Sequence, residues 1–179
     1  IFLIDQITRY SYPNNYNLWM ATVPNHIRQT FMSDSFWYVD QLTGEWINSL
    51  AEEEPIYNED YTQMTAKLRK GIYWSDGVEF TADDVAFTVE YLMKTPGMRW
   101  SAELNQYVES VSKPDDYTVI FKLKEPNNRF HYYFVFRFDA LYMMPKHYWE
   151  NVTDPLVDNL YPPISLGAYV LKNADPSGY

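Results

Sequence analysis

Cysteine is absent from the chain. That removes thiolate zinc sites, iron–sulfur clusters, thiol nucleophiles and disulfides together. A cysteine-free domain suits an extracytoplasmic bacterial protein, although many cytosolic domains share the trait. No apolar run approaches the roughly 18 residues of a membrane span. Positive charge is scarce: 14 Lys and Arg stand against 24 Asp and Glu, a net charge of −10. Such an acidic body repels phosphate backbones, and the only basic cluster is "KLRK" (Lys67–Lys70), so the expectation is no nucleic-acid partner. Internal repeats, low-complexity stretches and flexible linkers are missing too. The chain opens on Ile1 with neither an initiator Met nor a secretory signal, which reads as a processed boundary.

What the sequence does have is aromatic surface. Its 179 residues suffice for one good-sized domain or two small ones. Apolar residues make up 46% of it, yet the mean hydropathy is only −0.43, because Tyr supplies much of that fraction. This is a folded composition. Tyr (17) and Trp (6) carry a flat apolar face and a polar edge. They suit either a surface that stacks ligands or a core whose hydroxyls reach water.

Periodicity and turn chemistry then mark the elements. Residues 1–15 read as a strand running into a turn-rich loop, Arg9–Asn17, and Leu18–Met32 as a helix interrupted at Pro24. "SFWYVD" (Ser35–Asp40) reads as a short strand, followed by a turn through Gly44. In "TQMTAKLR", alternation places Met64, Ala66 and Leu68 on one face. "WSDG" is a tight turn at Asp76-Gly77. "FTADDVAFTVEYLMKTPG" is a helix with Thr81 as N-cap, Asp84 closing a capping box, and an apolar stripe of Val85, Ala86, Val89, Leu92 and Met93. Two strands are expected around a "KPDD" turn (Lys113–Asp116), with Tyr117, Val119, Phe121 and Leu123 on one face. A short helix at "NRFHYYFVF" with Phe130, Tyr133 and Phe134 inward, a strand at "DALYMM", a helix from Pro145 and a final strand at "SLGAYVLKNADPSGY" complete an α+β order.

No catalytic constellation accompanies these elements. The nucleophile elbow, the H-E-x-x-H helix, the P-loop and the G-x-G-x-x-G turn are all missing. His26, His131 and His147 are far apart in sequence, and each reads as structural or solvent-facing. Glu52–Glu54 reads as a solvated charge run, and "DQLTGE" and "SDGVEF" do not fit a calcium loop. The sequon at Asn151-Val152-Thr153 reads as a chance match. Asp76 could be a catalyst and Asp83-Asp84 a metal pair, but turn and capping chemistry account for all three. The expectation is therefore a non-enzyme with neither metal nor cofactor.

The stretch "LRKGIYWSDGVEFTADDVAFTVEYL" (Leu68–Leu92) nevertheless carries a specific pattern: Leu-Arg-x-Gly, an aromatic, Ser-Asp-Gly, then Phe-Thr-Ala-x-Asp-Val before a helix. It resembles the signature of family 5 of the bacterial extracellular solute-binding proteins, the oligopeptide- and dipeptide-binding class of ABC importers. "LTGEWINSLAEE", "PDDYTVIFKLKEPNNRF", "MMPKHYWE" and "PISLGAYVLKNADPSG" resemble further family segments in the same order. Leu166 and Ala168 depart from the commonest residues of the last one.

The resemblance implies part of a two-lobed, type II periplasmic-binding-protein fold: a mixed sheet plus an inserted antiparallel-sheet and helix subdomain. Residues 1–45 and 160–179 would be pieces of the first lobe's main domain, 46–159 the inserted accessory subdomain, and the second lobe would lie outside the chain. It implies capture of short peptides or oligosaccharides by lobe closure outside the cytoplasmic membrane, and delivery to ABC permease subunits. Membrane attachment would come only through a lipid anchor upstream. The alternative is a stand-alone carbohydrate-binding or hydrolytic domain. By the same resemblance, Tyr10–Asn17 and Gly97–Leu104 face the ligand cleft. The candidate contacts are Trp100, at a position where peptide binders carry a Tyr, then Tyr12, Asn14 and Trp19. Trp100 in place of Tyr, with the aromatic surplus, leans towards sugar.

Overall fold

The computed structural model describes residues 15–21, 31–136 and 140–173. Residues 1–14 of the expected strand and loop, the break at Pro24, and His26, Tyr12 and Asn14 lie outside them. Strands β1 (Trp37–Val39) and β2 (Trp46–Asn48) form a hairpin, with Val39 opposite Trp46. The turn between them is closed by Asp40, whose Oδ1 accepts from the amides of Leu42 (2.7 Å) and Thr43 (3.1 Å). These bonds hold the Asp40 carboxyl below the usual carboxylate range.

β3 (Ile56–Tyr57), β4 (Gln63–Lys67), β5 (Val108–Asp115) and β6 (Thr118–Leu123) make a second, antiparallel sheet in the order β3-β4-β6-β5. Alternation works here as expected: Met64, Ala66, Leu68, Val119, Phe121 and Leu123 are buried, while Lys122 and Lys124 are exposed. Helix α1 (Ala82–Lys94) covers this sheet on β5 and β6. It starts as expected: the Thr81 side chain accepts from Asp83 N, and Asp84 Oδ2 accepts from Thr81 N at 3.0 Å. α2 (Ser101–Tyr107) follows it. A 3-10 turn, Phe130–Phe134, then leads into β7 (Val135–Phe136), which lies parallel to β1 and completes the three-stranded sheet β2-β1-β7. α3 (Lys146–Trp149) packs on α1.

The core is aromatic. Phe134 stacks on Phe36 (5.0 Å) just before β1 and tilts against Phe121 (5.2 Å) of β6, so one ring joins both sheets. Trp37, Phe80, Phe130 and Trp149 are completely enclosed. At ~25 cal/mol per Å2 of apolar surface, such rings supply the largest single contributions to the fold.

Four expectations give way. The hairpin between β5 and β6 turns at Asp116-Tyr117, not over Lys113–Asp116, and Pro114 lies within β5. β5 is an edge strand with a register shift between Ser112 and Asp115, so the missing Pro114 N–H breaks no ladder bond. The Ala140–Met144 stretch is buried without forming a strand. Side chains take its backbone groups: Met144 N donates to Thr88 Oγ1 (2.8 Å), and Tyr142 O accepts from Trp19 Nε1 (2.9 Å). Residues 165–173 likewise form no strand, since the amides of Leu166 and Gly167 both go to Met32 O (3.0 Å each) instead of to a ladder. Finally, residues 18–21 are turn and bridge, not helix, because Asn15 and Asn17 side chains cap that backbone; Phe31 and Met32 are helical.

Candidate functional site

The acidic residues of the Lys67–Val85 stretch are each committed to structure. Asp84 is buried, and its second oxygen, Oδ1, accepts from Lys146 N at 2.9 Å, tying the start of α1 to the start of α3. Burial pushes its carboxyl above the ordinary range, against the pull of the Lys146 and Thr81 amides. Asp83 pairs with Lys113 and with Lys146 (3.2 Å), and Lys113 above all holds its carboxyl low. Asp76 Oδ2 meets His147 Nε2 at 2.7 Å, and its Oδ1 accepts from Val78 N in the turn. Ser75 exchanges bonds with Ser165: its amide donates to Ser165 O (2.8 Å), and its Oγ accepts from Ser165 N (2.9 Å). This stretch thus binds α3 and the returning segment at 165 together. Its carboxylates work as fasteners, and among the described residues no group of three or more His, Asp or Glu is placed to hold a metal.

His131 and Glu53 are engaged as well. His131 Nδ1 meets Tyr57 Oη at 2.9 Å, and Glu53 pairs with Lys67 (2.9 Å). Asn151 donates from its carboxamide to His147 O (3.1 Å) at the end of α3.

An open recess lies past the far end of α1. The helix stops at Pro96-Gly97, where Gly97 takes φ +97°. The chain then reaches Trp100 with φ 69° and ψ −7°, a left-handed conformation that a bulky residue seldom adopts. Trp100 precedes α2 and donates no side-chain cap to it. Met98, Arg99, Trp100, Ala102 and Glu103 line a cavity of about 310 Å3. The Trp100 ring is half-buried and stands edge-to-face on Tyr133, 5.6 Å between centroids.

Trp19 reaches the same place by its backbone only. Its carbonyl accepts from Arg99 N at 2.7 Å, and Met20 bridges Met98. Its side chain turns into the core, 3% exposed, with an edge on Trp149 at 5.4 Å. Sequence reasoning named Trp100 as a contact and read Tyr133 only as an inward residue of a short helix, with Phe130 and Phe134. Trp100 and Tyr133 are 33 positions apart, and nothing in the residue pattern links a 3-10 turn to the start of α2.

The α+β build, with its mixed sheet, is that of a type II periplasmic binding protein. The match to known proteins agrees and goes further: residues 45–179 fit the model of the bacterial extracellular solute-binding proteins, family 5, and the chain belongs to that family. It is 33% identical over 112 residues to the oligopeptide-binding protein AppA of Bacillus subtilis, which covers 59% of this chain and 20% of that protein. The structure of AppA in complex with a nonapeptide superposes with a TM-score of 0.68 at 26% identity, over 86% of this chain and 30% of AppA. The mannohexaose-bound periplasmic oligopeptide-binding protein of Thermotoga maritima superposes with a TM-score of 0.75 at 25% identity, over 93% of this chain and 30% of that one. The chain therefore spans about 20% of the length of its curated relative. Among the described residues, no helix is long and apolar enough to cross a membrane.

Proposed function

We propose that this chain forms part of the first lobe of the substrate-binding component of a peptide ABC importer, acting outside the cytoplasmic membrane and handing its ligand to permease subunits. Residues 1–45 and 160–179 would belong to the lobe's main domain and 46–159 to the accessory subdomain. Lobe closure around the ligand, not bond chemistry, would be the working step. The observation that carries this reading is Trp100: a bulky ring in a left-handed backbone conformation, at the edge of an open recess. Strain of about 1–3 kcal/mol persists at such residues where the surroundings enforce it, and it concentrates at ligand clamps. Trp100 is the foremost proposed contact. Tyr12 and Asn14 are proposed beside it, and Trp19 contributes through its carbonyl on Arg99.

Peptide is favoured by the name of the curated relative and by the nonapeptide in its structure. The mannohexaose-bound neighbour gives oligosaccharide as the second reading, for which the same ring would stack on a sugar. Isothermal titration of the full-length protein against mixed peptides of two to nine residues and against β-linked oligosaccharides separates the two. Heat with peptides is expected, and Trp100→Ala should weaken their binding at least about 10-fold. Heat with sugars alone would sink the peptide assignment, and turnover of either ligand would sink the non-catalytic one.

A further inference from the structure

Among the described residues, the ring that pairs with the proposed contact Trp100 is Tyr133. Tyr133 comes from the 3-10 turn, far from α2 in sequence, and its ring meets three aromatic partners. The Trp100 indole stands edge-to-face on it at 5.6 Å and 82°. Tyr107, at the end of α2, tilts against it at 6.0 Å. Phe130 packs on it at 5.6 Å. Its own carbonyl accepts from Leu141 N at 2.7 Å, which fixes its backbone to the buried 140–144 stretch.

Trp100 has no side-chain hydrogen bond at the head of α2 and a backbone that is unfavourable in isolation. Something must select the indole rotamer, and among the ring contacts of Trp100 in the described residues, Tyr133 is the partner.

We infer that Tyr133 is a positioning residue for the ligand-contacting side of Trp100: the perpendicular contact holds the indole on one side, so that the rest of the ring stays presented to the recess. The inference rests on the reading of Trp100 as a ligand contact. An edge-to-face pair contributes beyond its buried area by an amount equivalent to about a 3- to 10-fold change in an equilibrium constant. Loss of the pair should reach ligand affinity at about that size.

The test is a double-mutant cycle on the full-length protein, with peptide affinity and indole emission both recorded. Tyr133→Ala should weaken peptide binding about 3- to 10-fold, and Tyr133→Phe, which keeps the ring, should restore most of it. In a Trp100→Ala background, Tyr133→Ala should have no further effect. Equal weakening in both backgrounds would overturn the inference, as would an unchanged affinity in Tyr133→Ala where Trp100→Ala does weaken binding. The emission of Trp100 is isolated by subtracting the spectrum of Trp100→Phe. It should shift to the red in Tyr133→Ala and stay in place in Tyr133→Phe; no shift in Tyr133→Ala would count against positioning. Tyr133→Leu fills the space without an aromatic face, so it repeats the test if the alanine variant unfolds. If Trp100→Ala leaves affinity unchanged while the emission shift occurs, the contact reading falls, and with it the role of Tyr133 in ligand affinity, although the packing itself stands.

Discussion

His131 lies against Trp46, Tyr57 and Tyr132, three rings with no carboxylate among them. The Tyr57 oxygen accepts from the His131 backbone amide at 2.9 Å, which leaves its proton to donate to Nδ1 of a neutral imidazole. Burial lowers the His131 pKa below 6.5. The fold therefore favours the neutral ring. The resulting stability is present above the unfolded value near 6.5 and is lost as pH falls through the lowered folded value. Urea midpoints at pH 7 and pH 5 should show a larger acid loss in the wild-type protein than in His131→Asn, which keeps an acceptor but does not titrate; equal losses would refute the assignment. Asp84 gives a second prediction at the same scale. Its two oxygens serve two part-buried amides, so Asp84→Ala strands both, and a loss of about 1–3 kcal/mol in unfolding free energy is expected. A loss under about 0.5 kcal/mol would show that neither amide depends on it.

Among the elements, α1 was the most legible, because its start is written in local chemistry. Thr81, Asp83 and Asp84 act within a single turn, and Thr81→Ala should cost about 1 kcal/mol, read as a lowered melting temperature. β4 and β6 were legible through alternation. The failures share a cause: the hydrogen-bond partners come from afar. The 140–144 stretch has the residues of a strand, but Thr88 and Trp19 stand where a neighbouring strand would be. β2 and β3 are too short to carry a period. α2 begins without a side-chain cap, so no start signal exists to find. For the site, resemblance supplied Trp100, while its backbone conformation and the ring behind it needed the fold. The segment after Ser165 makes a further point about close approach. A Cβ at Gly167 would come within 2.7 Å of Met32 C, Phe31 O and Ser33 N, all backbone atoms. Gly167→Ala should therefore destabilise by about 1–3 kcal/mol, and a neutral result would mean that the 31–33 segment can retreat.

For the molecule as a whole, the proposed two-lobed reading makes ligand recognition depend on a second lobe as well as on these residues. A recess of about 310 Å3 bounded by five residues is open on its remaining sides. Pockets that hold small ligands well bury 70–90% of their surface. The 179-residue chain alone is expected to bind peptides weakly or not at all, so stoichiometric heat at micromolar peptide would contradict a site completed by the second lobe.

The parallel pairing of Trp37 with Val135 and of Tyr38 with Phe136 bears on how this molecule is made. β1 emerges from the ribosome well before β7, its second neighbour, which follows only after β2 to β6, α1 and α2 have been synthesised. Until then one side of β1 offers unsatisfied amides and carbonyls to any passing strand. Closure of so long a loop is slow compared with the local hairpins, so the second sheet should assemble first and the first sheet last. The interval in between is when this chain is most exposed to aggregation.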